Sequence, residues 1–286
     1  MPESPPSERP VSEITEGTAQ NGEINLPWIR NQRAGDPLLL VNGLGSPRVS
    51  YEDGFVAELN DRGYDVVRFD NRDAGRATTT TGGYTLADMA ADAVAVMDAV
   101  GWQTAHVFGM SMGGMIVQQM GIDHPDRLRS ITSLMSTTGN PEYGTSSRDA
   151  RVALMKPSPD ERDAWIEHRI STEKVWCSPE HWTPEASRAK SELLFDYGVQ
   201  PRSTLNQYTA IVKSPPREEA LRSVQTPTLV LHGTKDTLLS STGGERTAEV
   251  MPNATYVPLE GMGHDLPAFF WPVIADHVAA HTAALS

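Results

Sequence analysis

The chain has 286 residues, with 24 basic against 37 acidic side chains and a formal charge of −13, a balance that disfavours nucleic acid and anionic membranes as partners. No apolar run approaches the roughly 20 residues that cross a bilayer, and one cysteine, Cys177, excludes an internal disulfide and a cysteine-cluster metal site. The length suits one large α/β domain or a core with an inserted subdomain in a cytoplasmic protein, with the oligomeric state left open.

The opening "MPESPPSERPVS" has neither a basic start nor an apolar stretch. It reads as no signal peptide, and a disordered tail is expected over residues 1–15. "DPLLLVNGLG" (36–45) is an unbroken apolar run ending in glycines, the pattern of a strand buried on both faces and then a loop. A short helix suits 51–60, and "GYDVVRFD" (63–70) is a second buried strand. "YTLADMAADAVAVMDAVG" (84–101) sets Leu86, Met89, Ala90, Ala93, Met97 and Val100 on one helical face, with Thr85 to cap its start and Gly101 to stop it. A third strand follows at 105–109, a helix at 112–123 and a fourth strand at 127–136. Alternating strands and helices imply a mostly parallel sheet with helices on both faces.

That rhythm stops from about 138 to 225, a polar stretch with several prolines, Trp165, Trp176, Trp182 and helical segments such as 184–196. "TPTLVLHG" (226–233) and "ATYVPLEGMGH" (254–264) restore it, and an amphipathic helix over about 267–281 closes the chain. The expectation is an α/β core of residues 16–137 and 226–286 with a helical cap, 138–225, inserted between. Trp165, Trp176 and Trp182, with Leu193, Leu194 and Phe195, offer that cap more apolar surface than its own core needs, so the three tryptophans are candidates for lining a substrate pocket.

Ligand sites of open parallel sheets lie outside the carboxyl ends of the strands. Three strand-end loops bear the groups of nucleophilic catalysis: Ser111 in "GMSMG", Asp236 in "HGTKD" and His264 in "GMGHDLP". G-x-S-x-G between a strand and a helix is the strained turn that presents a serine hydroxyl, with small neighbours so that strand and helix can approach. The pentapeptide alone recurs by chance; the strand before it, the helix after it and the later Asp and His add separate requirements. A serine hydroxyl needs a base at neutral pH, and a carboxylate to fix the tautomer of that base. Two N–H groups are then needed for the oxyanion: Met112, after the serine, and Leu44 of "NGLG" are the candidates.

Of the other histidines, His232 reads as a packing or hydrogen-bonding residue, His124 as a loop or capping residue and His106 as part of a buried strand. His168 and His181 lie in the cap; His277 and His281 read as surface positions on the last helix. Asp70, at the end of strand 64–69, rivals Asp236 as the acid, although "FDNRDAG" more readily uses Asp70, Arg72 and Asp73 to brace a loop through ion pairs.

These residues resemble the α/β-hydrolase superfamily over about 20–282. Within it, "VVRFDNRDAGRAT", "LADMAADAVAVMDAVG", "GMSMGGMIVQQM", "HPDRLRSITSLMSTTG" and "GMGHDLP" look like bacterial esterases of the aclacinomycin methylesterase type, some of whose relatives act as macrolide esterases. The resemblance implies Ser111 as nucleophile, Asp236 as acid, His264 as base and Leu44 and Met112 at the oxyanion. It departs at Asn42-Gly43, where many relatives have His-Gly.

The expected function is a serine carboxylic-ester hydrolase, free of metal and cofactor, acting on a small-molecule ester or lactone of polyketide type. The same three residues could instead serve a lactonase, a thioesterase, carbon–carbon bond hydrolysis or a cofactor-free perhydrolase, and a non-catalytic receptor can keep them. An aspartate at position 111, the mark of dehalogenases and epoxide hydrolases, is absent.

Overall fold

The computed structural model describes residues 13–285. In chain order these form β1 (Glu13–Asn21), β2 (Ile24–Gln32), β3 (Asp36–Val41), α1 (Asp53–Asp61), β4 (Tyr64–Phe69), α2 (Leu86–Ala99), β5 (Ala105–Met110), α3 (Met112–Asp123) and β6 (Leu128–Leu134). Next come α4 (Arg148–Leu154), α5 (Arg162–Glu173), α6 (Pro184–Tyr197), α7 (Thr204–Lys213) and α8 (Glu218–Leu221). The chain ends with β7 (Thr228–Gly233), α9 (Thr242–Val250), β8 (Ala254–Leu259) and α10 (Trp271–Ala283).

The eight strands form one sheet in the order β1-β2-β4-β3-β5-β6-β7-β8. β1 and β2 run antiparallel to each other, and β2 is antiparallel to β4; every other pairing is parallel. The apolar run of β3 shows why such a strand carries no alternation. Leu38 and Leu40 enter one layer, Leu39 and Val41 the other, and all four are fully buried. Phe55, Val56 and Leu59 of α1 and Ile274, Ala275 and Val278 of α10 close the first layer. Met89, Ala93 and Met97 of α2 and Met115, Ile116 and Met120 of α3 close the second. Thr85 starts α2, its N–H donating to the Asp88 carboxylate at 2.8 Å, and Gly101, at φ +78°, follows its end.

The amino-terminal hairpin was not legible as strands. The expected tail over 1–15 is corrected at its end: Glu13, Ile14 and Thr15 are paired in β1 with Gln32, Asn31 and Arg30, while residues 1–12 lie outside the described residues. Backbone pairing holds these largely exposed residues in the sheet, and Ala19 and Leu26 are the fully buried side chains of the hairpin. The signal was the two-residue Gly22-Glu23 connection after Asn21, with Gly22 at φ +59°.

Between β6 and β7 the described chain has helices and no strand, within the segment 138–225. Trp165, Ile166 and Leu194 form a small cluster with Phe195 and with Val49 of the loop after β3, which joins this helical insertion to the core. Among the described residues no helix is long and apolar enough to cross a membrane.

Candidate active site

The order β4-β3-β5 means that the chain winds away from β3 in both directions, which opens a crevice at the carboxyl ends of β3 and β5. Ser111 stands there, between the last residue of β5 and the first of α3. Its φ of 58° and ψ of −118° are rare for a residue with a side chain, and surrounding structure must hold it there. The Ser111 N–H donates to Leu134 O at 2.9 Å, and Ser136 Oγ donates to Ser111 O at 2.8 Å, so the end of β6 grips both sides of the turn. The flanking glycines are steric necessities. A Cβ on Gly109 would lie 2.1 Å from Gly113 O, and one on Gly113 would lie 2.0 Å from Val41 O.

His264, after β8, meets Ser111 across 153 residues of sequence and Asp236, after β7, across 28. His264 Nε2 lies 2.9 Å from Ser111 Oγ, and His264 Nδ1 lies 2.6 Å from Asp236 Oδ2. The other Asp236 oxygen accepts the N–H groups of Leu238 and Leu239 at 2.9 and 2.8 Å. His232 Nε2 also approaches Oδ2, at 3.3 Å. Burial pushes the Asp236 carboxyl up, but the charge of His264 and hydrogen bonds from His232 and His264 outweigh burial and bring it down to about 2. Ionised Asp236 then accepts an Nδ1–H, and Nε2 is left to accept a proton from the serine hydroxyl.

The loop after β3 closes the other side of Ser111. A Cβ on Gly43 would fall 3.3 Å from Ser111 Cβ, so the backbone passes directly over the serine. Among the described residues, the N–H groups of Leu44 and Met112 donate to no other group. The next N–H, that of Gly45, donates to Gln207 Oε1 at 2.7 Å, and Gln207 Nε2 donates to Arg72 O at 2.6 Å. Gln207 is fully buried on α7, and no sequence pattern marks it. Asn42, where the resemblance expects His, is fully buried; its carbonyl accepts from Asn71 Nδ2 at 3.1 Å, and its carboxamide has no partner among the described residues.

Asp70 is fully buried, and none of its hydrogen bonds goes to His264. It accepts the N–H groups of Arg48 at 2.6 Å and Arg76 at 3.0 Å and the Tyr197 hydroxyl at 2.7 Å, which ties the loops after β3 and β4 to the end of α6. The ion-pair expectation for this loop divides three ways. Arg72 forms a true buried pair with Asp92, at 2.6 and 2.7 Å; Asp73 binds the hydroxyls of Thr80 and Tyr84; Asp70 binds two backbone amides and a phenol.

The three cap tryptophans part company. Trp165 is buried against Phe195 under the Arg169 guanidinium, and the Trp182 indole lies beneath the Lys174 ammonium. Trp176 reaches the His264 loop through its main chain, its carbonyl accepting the His264 N–H at 2.6 Å. Of the remaining histidines, His106 is buried in β5 with Nδ1 2.7 Å from Ser130 Oγ, and burial lowers it to about 4. His124 caps the end of α3, His168 is half-buried on α5, and His181 stacks on Phe269. His277 and His281 are half-buried on α10, closer to the core than the expected surface placement.

A family model described as alpha/beta hydrolase fold matches residues 36–269. The rhodomycin D methylesterase DnrP of Streptomyces peucetius is 29% identical, over 92% of this chain and 97% of its own length. The rhodomycin D methylesterase DauP of Streptomyces sp. strain C5 is 28% identical, over 87% and 91%. Among solved structures, the esterase RhEst1 from Rhodococcus sp. ECU1013 superposes with a TM-score of 0.80 at 21% identity, over 96% of this chain and 99% of that one.

Proposed function

The chain belongs to the α/β-hydrolase family, and we propose that it is a serine carboxylic-ester hydrolase with Ser111 as nucleophile, His264 as general base and acid, and Asp236 as the carboxylate that orients His264. The observation that supports this most is the run of contacts from Asp236 through His264 to Ser111, at 2.6 and 2.9 Å, beneath a backbone loop with an unengaged N–H. Ser111 Oγ attacks the ester carbonyl as its proton passes to His264 Nε2. The tetrahedral oxyanion is received by the N–H groups of Leu44 and Met112, the latter at the positive end of α3. His264 then protonates the leaving alcohol, and the acyl group stays on Ser111. Water, giving its proton to the same nitrogen, releases the acid and restores the hydroxyl.

Likeness to two rhodomycin D methylesterases supports a methyl ester on a polycyclic polyketide as the substrate class. A macrolactone needs the same steps with the leaving alcohol tethered to the acyl group. The test is a panel of p-nitrophenyl esters, a polyketide methyl ester and 16-membered macrolides, followed by mass spectrometry. Demethylation with release of methanol is the expected outcome, and addition of one water to a macrolide would mark a lactone substrate. Ser111→Ala should abolish turnover and labelling by a fluorophosphonate. Turnover that survives this change would overturn the assignment.

A further inference from the structure

We propose that the turn Val175–Ser178, which ends α5, is a clamp that positions His264, with Ser178 and Asp265 as its positioning residues. The proposal rests on the reading of His264 as the base.

The loop that carries His264 is anchored in two different ways. Up to Met262 it is held by the core: Gly261 N–H donates to Thr234 Oγ1 at 3.0 Å, Met262 N–H to Leu259 O at 3.2 Å, and Met262 O accepts from Lys235 N–H at 2.9 Å. Over residues 263–265 the insertion takes over, before Leu266 returns to the core. Gly263 N–H donates to Ser178 Oγ at 2.9 Å, and His264 N–H donates to Trp176 O at 2.6 Å. Asp265 Oδ1 accepts both the Ser178 N–H, at 2.9 Å, and the Ser178 hydroxyl. Three consecutive residues centred on His264 are thus bonded to two residues of one turn, Trp176 and Ser178.

The same turn holds the acid loop. Val175 O accepts from Thr237 Oγ1 at 2.8 Å, one residue after Asp236. The carbonyls of Val175 and Trp176 lie just past the end of α5, where such groups have no partner within the helix. The acid and base loops supply their donors. Ser178 is fully buried, and its hydroxyl both gives a hydrogen bond, to Asp265, and receives one, from Gly263. Gly263 is shaped to this contact: a Cβ there would lie 2.4 Å from Trp176 O and 2.5 Å from Ser178 N. His264 is not within the sheet, so its imbalance of anchors matters. Without the clamp, the core holds the chain at Met262 and again at Leu266, and among the described residues the backbone between them has no hydrogen bond to the core.

The experiment compares Ser178→Ala, Ser178→Thr and Asp265→Ala in the full-length protein. Steady-state kinetics on a p-nitrophenyl ester, fluorophosphonate titration of active sites and 15N spectra of the histidine side chains are recorded on each. Misplacing a base by part of an ångström costs about ten- to a hundredfold, so kcat per titrated site should fall by that factor in Ser178→Ala and in Asp265→Ala, which removes the acceptor of both Ser178 bonds, with KM nearly unchanged. Ser178→Thr, which keeps the hydroxyl, should restore most of kcat. The His264 imidazole resonances should shift in the two damaging variants and return in Ser178→Thr. Wild-type kcat per site with unshifted resonances in Asp265→Ala and, where it folds, in Ser178→Ala would overturn the clamp. So would a loss of activity that follows only the folded fraction. If Ser111→Ala keeps its turnover while the His264 resonances still shift in Ser178→Ala, the serine mechanism fails and the clamp stands.

Discussion

Nε2 of His232 stands 3.3 Å from Oδ2 of Asp236, the same oxygen that lies 2.6 Å from His264. His232 Nε2 is also 2.8 Å from Leu239 O, so its two neighbours are both acceptors and it is this nitrogen that bears the hydrogen. Asp236 is therefore braced from below by one imidazole while it orients another. "HGTKD" holds both residues, yet the spacing reads as packing until the turn is seen to fold back on itself.

His232→Leu should leave Asp236 one donor short. A hydrogen bond of this kind contributes about 1 kcal/mol, or roughly a fivefold change in rate. The expected result is a kcat lowered by that factor with KM unchanged, measured on a p-nitrophenyl ester. An unchanged kcat would reduce His232 to packing.

Asp236 also makes stability depend on pH. Its carboxyl is down at about 2 in the folded chain against an ordinary value of 3.8. A lowered carboxyl stabilises the fold above its unfolded value and loses that contribution as pH falls through the folded one. The effect is about 2 kcal/mol, present above about pH 4 and gone near pH 2. Urea unfolding of wild type and Asp236→Asn should show a stability gap that narrows from pH 6 toward pH 3. A gap that is constant with pH would count against this linkage.

Gln207→Leu should disturb the loop over Ser111. It strands the Gly45 N–H and the Arg72 carbonyl, which Gln207 now satisfies at 2.7 and 2.6 Å. Each unsatisfied buried group costs about 1–3 kcal/mol. A lower melting temperature is expected, together with weakened binding of a trifluoromethyl ketone, which needs the oxyanion donors. Wild-type affinity for that ketone would show that the tie does not set the donors.

Asp70→Asn should separate stability from chemistry. An amide nitrogen placed against the Arg48 and Arg76 N–H groups or the Tyr197 hydroxyl replaces an acceptor by a donor. Thermal unfolding should occur several degrees lower, while turnover per active site titrated with fluorophosphonate stays within a small factor of wild type. Loss of turnover in a fully folded Asp70→Asn, with Asp236→Asn active, would return the acid role to Asp70.

The strand pattern was legible because buried parallel strands are apolar without alternation. β3, β4, β5 and β7 announce themselves in "PLLLV", "DVVRF", "AHVF" and "TLVLHG", and the break between β6 and β7 announces the helical insertion. The elbow glycines were legible for a steric reason that is local: Gly109 and Gly113 face each other across a single turn. The sequence also singled out Ser111, Asp236 and His264 as residues at strand ends. What it could not supply was any contact that depends on how remote segments meet. The edge hairpin β1–β2 buries only a few side chains, Ala19 and Leu26 with Ile24 and Trp28 against them, among exposed polar residues that break any strand pattern. Gln207 is separated from Gly45 by 162 residues and Ser178 from Asp265 by 87, and their bonds arise only where the insertion folds back over the strand ends. Trp165 reads from its apolar side chain alike as pocket wall or as glue, and its packing on Phe195 beside Val49 is set only by the fold. Sequence periodicity reports which face of an element avoids water; which polar atom waits on the other side of that face is a property of the assembled chain.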